Sequence, residues 1–251
     1  FGDINWFAGY TKMRATDIFE LTSAQSESSY GRSVRADGEN IVAARSNFMA
    51  EHKLITGLDY TTQLIGNNDT RFSLVYVRKS GEPYSVTFDG YDDAFANDRS
   101  DGGYDAAYVP TGASDPNVVF ASAAVADAVM AHVNSSGLAG YKGSIVPRNA
   151  FNSPWTSSLD LRITQDINVM DGHKVILYLD ITNVLNLIDD DKGIMKEYSN
   201  RSRQIILDED NPYDSQGRYN IVGVDPDDGL FVRNKDGQSS YQWNLGFKYQ
   251  F

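Results

Sequence analysis

The chain has no cysteine, which excludes a disulfide frame, a zinc–thiolate centre and any thiol nucleophile. Histidine is almost as scarce. His52, His132 and His173 are the three, and none stands in an H-E-x-x-H or comparable spacing. Basic residues are the minority, 22 Lys and Arg against 34 Asp and Glu, for a net charge of −12. A phosphate-backbone partner needs clustered Lys and Arg, so nucleic acid is not expected. No run of about 18 uncharged apolar residues occurs, so no membrane helix is expected. That leaves strands untouched as a way across a bilayer, because a barrel strand hides its apolar residues in alternation. No serine sits in a G-x-S-x-G context, and no glycine-rich loop joins a strand to a helix. No catalytic constellation is found, and an enzyme is not expected. No signal peptide begins at Phe1, as in a mature product or a fragment.

Aromatics are plentiful, with fifteen Tyr and twelve Phe. They are most ordered in the last eleven residues. Tyr241, Trp243, Leu245, Phe247, Tyr249 and Phe251 alternate with Gln242, Asn244, Gly246, Lys248 and Gln250. Successive strand side chains point to opposite faces, so one face is aromatic and the other polar or bare. The length suits the roughly 9–11 residues that a tilted strand needs to cross a bilayer. The odd set is therefore expected to face lipid, with aromatic girdles at the strand ends.

Further strands follow from the same alternation. They are expected at about 3–18, 54–64, 72–76, 141–149, 155–169, 175–182, 193–208 and 241–251. The third is expected to run on to Phe88 with a bend at Gly81-Glu82-Pro83. A small hairpin is expected from Tyr219–Val224 and Phe231–Arg233. One short helix is expected between Ser114 or Asp115, as its cap, and Gly137, with Val118, Val119, Ala123, Val125, Val129, Met130 and Val133 as its apolar stripe. That makes about eight crossing strands, which must close into a barrel because a bilayer offers nothing to an open edge. Counting back from a downward last strand, 155–169 runs upward. The turns at 152–154 and 184–192 are then periplasmic. The long segments 20–47, 89–140 and 209–238 fall outside, and the tight turn at 170–173 is the one misfit. The polar set Asp160, Arg162, Asp166, Tyr178, Asp180, Asn244 and Lys248 is expected to face the lumen, either against a plug or paired within the wall. Trp6, Trp155 and Trp243 are expected near strand ends, as interface anchors.

Acidic residues crowd three connections: 89–105, 208–214 and 225–228. Carboxylates beside backbone carbonyls suit a hard cation, so a loop calcium is a candidate, with Asp92, Asp93, Asp98 and Asp101 as ligands. The spacing is not that of a helix–loop–helix calcium site, and solvated loop charge is the plainer reading. No other cofactor is expected.

The order of several motifs resembles a known family. These are Pro147-Arg148-Asn149, Asn152-Ser153-Pro154-Trp155, Ser158-Leu159-Asp160-Leu161-Arg162-Ile163, Leu179-Asp180-Ile181-Thr182-Asn183-Val184-Leu185-Asn186 and the terminal Phe251. Together they are similar to the late barrel of TonB-dependent outer-membrane transporters of the Oar-like group. Residues 140–251 carry the likeness best; 1–90 fit loosely, including Ser80-Gly81-Glu82-Pro83-Tyr84-Ser85. The resemblance implies an all-β chain, a transmembrane antiparallel barrel of about 22 strands. Of these, residues 1–251 would be about the last eight, with long extracellular loops, and would lack the plug domain, the coupling box and the earlier strands. It implies import of a scarce nutrient (iron chelate, peptide or glycan) across the outer membrane of a Gram-negative bacterium, by capture in the loops and energised plug gating. The partners it implies are outer-membrane lipid, the TonB complex acting through the plug, the barrel-assembly machinery reading Phe251, and a surface lipoprotein. Two other readings stay open: a self-contained eight-stranded barrel with an adhesive or structural role, and a secreted β-sandwich that binds carbohydrate.

Overall fold

The computed structural model describes residues 3–18, 23–26, 29, 33–36, 42–89, 105–199, 201–226, 229–233 and 237–251. Strand dominates, with 54% of residues in strands against 12% in helices. No helix among the described residues is long and apolar enough to cross a membrane.

Six long strands form one antiparallel sheet, here called the wall. They are β1 (Asp3–Lys12), β2 (His52–Ile65), β3 (Asn68–Lys79), β4 (Thr156–Met170), β5 (His173–Thr182) and β6 (Gln242–Gln250). Each pairs with its neighbour in sequence, so the sheet is a simple meander. Among the described residues the sheet does not close: β1 and β6 have one partner each. Two tight turns, at Gly66-Asn67 and Asp171-Gly172, join β2 to β3 and β4 to β5. Gly66 and Gly172 sit at φ of +58° and +79°, where a Cβ would be strained.

The register aligns side chains in rows across the whole sheet. Trp6, Leu58, Leu74, Leu161, Ile181 and Trp243 form one row. Ile4, Tyr60, Phe72, Ile163, Leu179 and Leu245 form the next row on that face. Between them, on the opposite face, lies a row of Asn5, Asp59, Ser73, Arg162, Asp180 and Asn244. A slip of one residue in any strand would move its apolar set to the wrong face, so this pattern fixes the register.

Three long connections, 13–51, 80–155 and 183–241, leave the wall at one end. The two tight turns, Asp3 and Phe251 lie at the other. The second and third connections build a body of their own. Its sheet has five strands in the order Phe151–Asn152, Pro83–Asp89, Arg201–Leu207, Tyr219–Val224 and Val118–Phe120. Two of its pairings are parallel, Arg201–Leu207 on Pro83–Asp89 and Tyr219–Val224 on Val118–Phe120. Helix α1 (Ala123–Ser135) covers it, with Ala126, Val129 and Val133 buried. Val86, Phe88, Val109, Leu138, Val146, Ile205, Leu207 and Ile221 complete the core. Every buried apolar side chain of the described residues lies outside the wall strands. Gly81 marks the exit from wall to body. A Cβ there would collide with the Ser153 carbonyl, so the two chain segments could not pass.

These facts correct several sequence expectations. Of the eight strands expected to cross, 141–149 and 193–208 are not in the wall. Only Ser144–Ile145 is a strand in the first, paired with Tyr108–Val109. The second splits into Met195–Tyr198, paired with Leu230–Arg233, and Arg201–Leu207 inside the body. The run beyond Lys79 also leaves the wall, since Pro83–Asp89 belongs to the body. The expected hairpin of Tyr219–Val224 with Phe231–Arg233 does not form, because each segment pairs elsewhere. Removing 193–208 from the count reverses the direction of β4. The chain segments at 152–154 and 184–192 therefore lie at the long-connection end, and the turn at 170–173 is no longer a misfit. The helix begins later than expected. Val118–Phe120 is a strand, and Ser122 caps α1 by accepting from the Val125 amide at 3.2 Å.

Candidate functional site

The wall presents two unlike faces. On the apolar face Trp6 is 75% exposed, Trp243 65%, and Leu245 and Phe247 each 72%. Tyr249 continues that face and is exposed; Tyr241 and Phe251 flank β6 and are exposed as well. All six residues expected to meet lipid are thus laid bare together. A continuous apolar surface of this kind is rare on a protein that meets only water.

The opposite face carries the polar row. Arg162 makes a two-pronged pair with Asp180, at 2.5 and 2.7 Å, and its guanidinium stands 5.8 Å over the Tyr178 ring. Asp166 pairs with Lys174 at 2.8 Å. Asp160 accepts from the Asn183 amide at 2.8 Å, which fixes the end of β5. Ser73 donates to Asp59 one row member away. Asn244 lies beside Asp180, and Lys248 beside Ile176. Tyr178 lies across Gly246, where a Cβ would collide with its hydroxyl. The seven residues of the expected lumen set lie on this one face of the sheet. Three of them are engaged in cross-strand ion pairs.

Aromatic side chains gather at both ends of the wall. At the long-connection end Tyr10, His52 and Trp155 stack in series, with centroids 6.1 and 5.9 Å apart, and Arg78 lies 5.3 Å over Trp155. At the other end the Tyr249 hydroxyl and His173 Nδ1 are 2.6 Å apart. Trp155 and Trp243 stand near strand ends as expected; Trp6 lies mid-strand in β1.

The asparagines of two motifs have a backbone role. Among the described residues, Asn149 and Asn183 are the non-glycine residues with positive φ, at 57° and 55°. Asn149 donates to the Arg45 carbonyl at 2.6 Å and accepts from Ser85 at 3.0 Å. Asn183 donates to the Gly193 carbonyl at 2.8 Å, turning the chain from β5 into α2 (Val184–Ile188).

The calcium candidates Asp92, Asp93, Asp98 and Asp101 lie outside the described residues. Among the described residues no cluster of three metal-ligating side chains occurs. In the connection at 208–214, Asp208 and Asp214 use their carboxylates internally. Asp208 accepts from the amides of Asp210 and Asn211. Asp214 accepts from the Arg218 and Gln216 amides and pairs with the Arg218 guanidinium. The Arg218 amide comes first among the contacts that hold its carboxyl below the usual 3.8. In the body, burial pushes the Tyr84 and Tyr219 hydroxyls up to about 12, so neither ionises at neutral pH.

One cavity at the long-connection end escaped the sequence reading. Its lining comes from 14–18, 34–36, 42–45 and 141–150, stretches too far apart to form a motif. Compared with protein-family models, curated proteins and solved structures, the chain finds no match.

Proposed function

We propose that the wall is an arc of an outer-membrane β-barrel, the late part of a TonB-dependent receptor, and that the body at its long-connection end captures the ligand. The observation that carries this reading is the register itself. Apolar rows cross all six strands on one face while a polar row holding the Arg162–Asp180 ion pair crosses on the other. In a bilayer the first face meets hydrocarbon and the second a hydrated lumen. The free edges of β1 and β6 add to it. No strand edge survives unpaired in hydrocarbon, so further strands must complete the wall. Six strands with two free edges favour an arc of a large barrel over a self-contained small one. With Phe251 and the tight turns on the periplasmic side, every long connection is extracellular, the habit of such barrels.

In this reading the chain does no chemistry. It binds, and a plug facing the Arg162–Asp180 row gates passage with energy from the TonB complex. The outer body is where a surface lipoprotein would dock.

Spin labels test the two faces directly, because a chain without cysteine accepts single cysteines cleanly. In lipid, labels at 243, 245 and 247 should collide with oxygen, and labels at 244 and 248 with a water-soluble nickel chelate. A flat profile along β6, or nickel reaching 245 and 247, would sink the reading.

A further inference from the structure

We infer that the cavity between the first and second long connections binds a small organic anion with an apolar body. The cavity measures about 500 Å³, within the size range of small-ligand sites. Four arginines line it, Arg14, Arg35, Arg45 and Arg148, and among the described residues no aspartate or glutamate does. That is the reverse of the chain as a whole, whose charge is −12. Guanidinium stays charged at any working pH and offers paired donors that match carboxylate and phosphate oxygens. Between the arginines the lining is apolar, with Ile18, Val34, Val42, Ile145 and Pro147.

Two of the arginines are held in place from behind. Arg148 is buried, and its Nη2 donates to the Asp17 carbonyl at 2.6 Å and to the Asp17 carboxylate at 2.5 Å. Arg45 donates to Asn152 Oδ1 at 2.6 Å and pairs with Glu51 at 3.2 Å. These contacts tie the first connection to the second and fix the positions of Arg45 and Arg148, which lowers the ordering cost of binding. Arg14 differs. It is exposed and has no ion pair among the described residues. Its charge is therefore uncommitted, and an incoming anion meets it without displacing a protein carboxylate.

This inference deepens the receptor reading by naming a class of cargo, and depends on that reading only for the passage of the bound anion through the barrel. The test is calorimetric titration of the full chain with 2-naphthoate and with 1-naphthyl phosphate, which separate carboxylate from phosphate preference. 2-Naphthamide, the same body without charge, is the control. At least one anion should bind about tenfold or more tighter than the amide, the gain of one charged hydrogen-bonded pair. Arg14→Gln should weaken that anion by about tenfold, while Arg71→Gln on the wall leaves it unchanged. Absence of heat from both anions at millimolar concentration overturns the inference. So does equal binding of the amide, or an Arg14→Gln variant with undiminished affinity. None of these outcomes alters the accessibility profile along β6, so a failure here is distinct from a failure of the barrel reading.

Discussion

Asp115 shows how one side chain can hold a segment of irregular backbone. Its carboxylate accepts from the Thr111 amide at 2.7 Å, the Thr111 hydroxyl at 2.8 Å, the Asn117 amide at 2.8 Å and the Tyr108 hydroxyl at 3.1 Å. Burial pushes its pKa up, but the Thr111 and Asn117 amides and the two hydroxyls outweigh that, and the net value lies below 3.8. A carboxyl lowered by folding contributes stability above its unfolded value, and that contribution fades as the pH falls through the folded one. Asp115→Ala leaves four donors, on the buried Tyr108 and the exposed Thr111 and Asn117, without their buried acceptor. It should cost about 3 kcal/mol in denaturant unfolding at pH 7, and the variant should lose less stability than the parent on acidification. An unchanged midpoint would show that water replaces the carboxylate. The sequence presents Asp115-Pro116 as a helix start because a cap and a tight turn use the same residues. Ser122, which does cap α1, carries the same chemistry with nothing in the sequence to rank it higher.

At the scale of elements, what was legible is what alternates. The wall strands have one apolar and one polar face, so a period of two survives along each of them. The body strands do not. Arg201–Leu207 lies between two neighbours, one of them parallel, and buries Ser202, Gln204, Ile205 and Leu207 without a regular period. Strands buried on both faces lose alternation as a signal. Taken for a wall strand, this segment reverses the direction of β4 and β5, which is why one misread element displaced three turns. The alternation also makes a prediction for β6. Leu245 is 72% exposed, so in a water-facing sheet Leu245→Arg would cost little or nothing. Against hydrocarbon it should cost about 2–4 kcal/mol in folding into liposomes. Asn244→Arg, on the polar row beside Asp180, should fold nearly as the parent does. Equal behaviour of the two variants would remove the distinction between the faces.

For the whole molecule, the division of labour is between a thin sheet without a core and a body that holds the core. Nothing in the sequence announces that the second and third connections share one interior, since Val86, Val133 and Ile205 come from segments far apart. The cavity was hidden for the same reason: Arg14, Arg35, Arg45 and Arg148 meet only because the first connection folds onto the second. The body sits at one end of the wall, and Asp3 and Phe251 sit at the other, so the molecule has a direction. In a membrane that direction becomes a sidedness, and sidedness can be read in intact cells. Short epitopes placed at Gln216-Gly217, an exposed turn of the third connection, and at Asp171-Gly172, the turn between β4 and β5, lie at opposite ends. The first should bind antibody on intact cells. The second should do so only after the outer membrane is permeabilised. The reverse pattern would turn the barrel over and place the arginine-lined cavity in the periplasm, where it could not be the first site to meet a ligand from outside. Staining of neither epitope until the cell is fully lysed would take the wall out of the outer membrane, and would leave its apolar rows in need of a different cover.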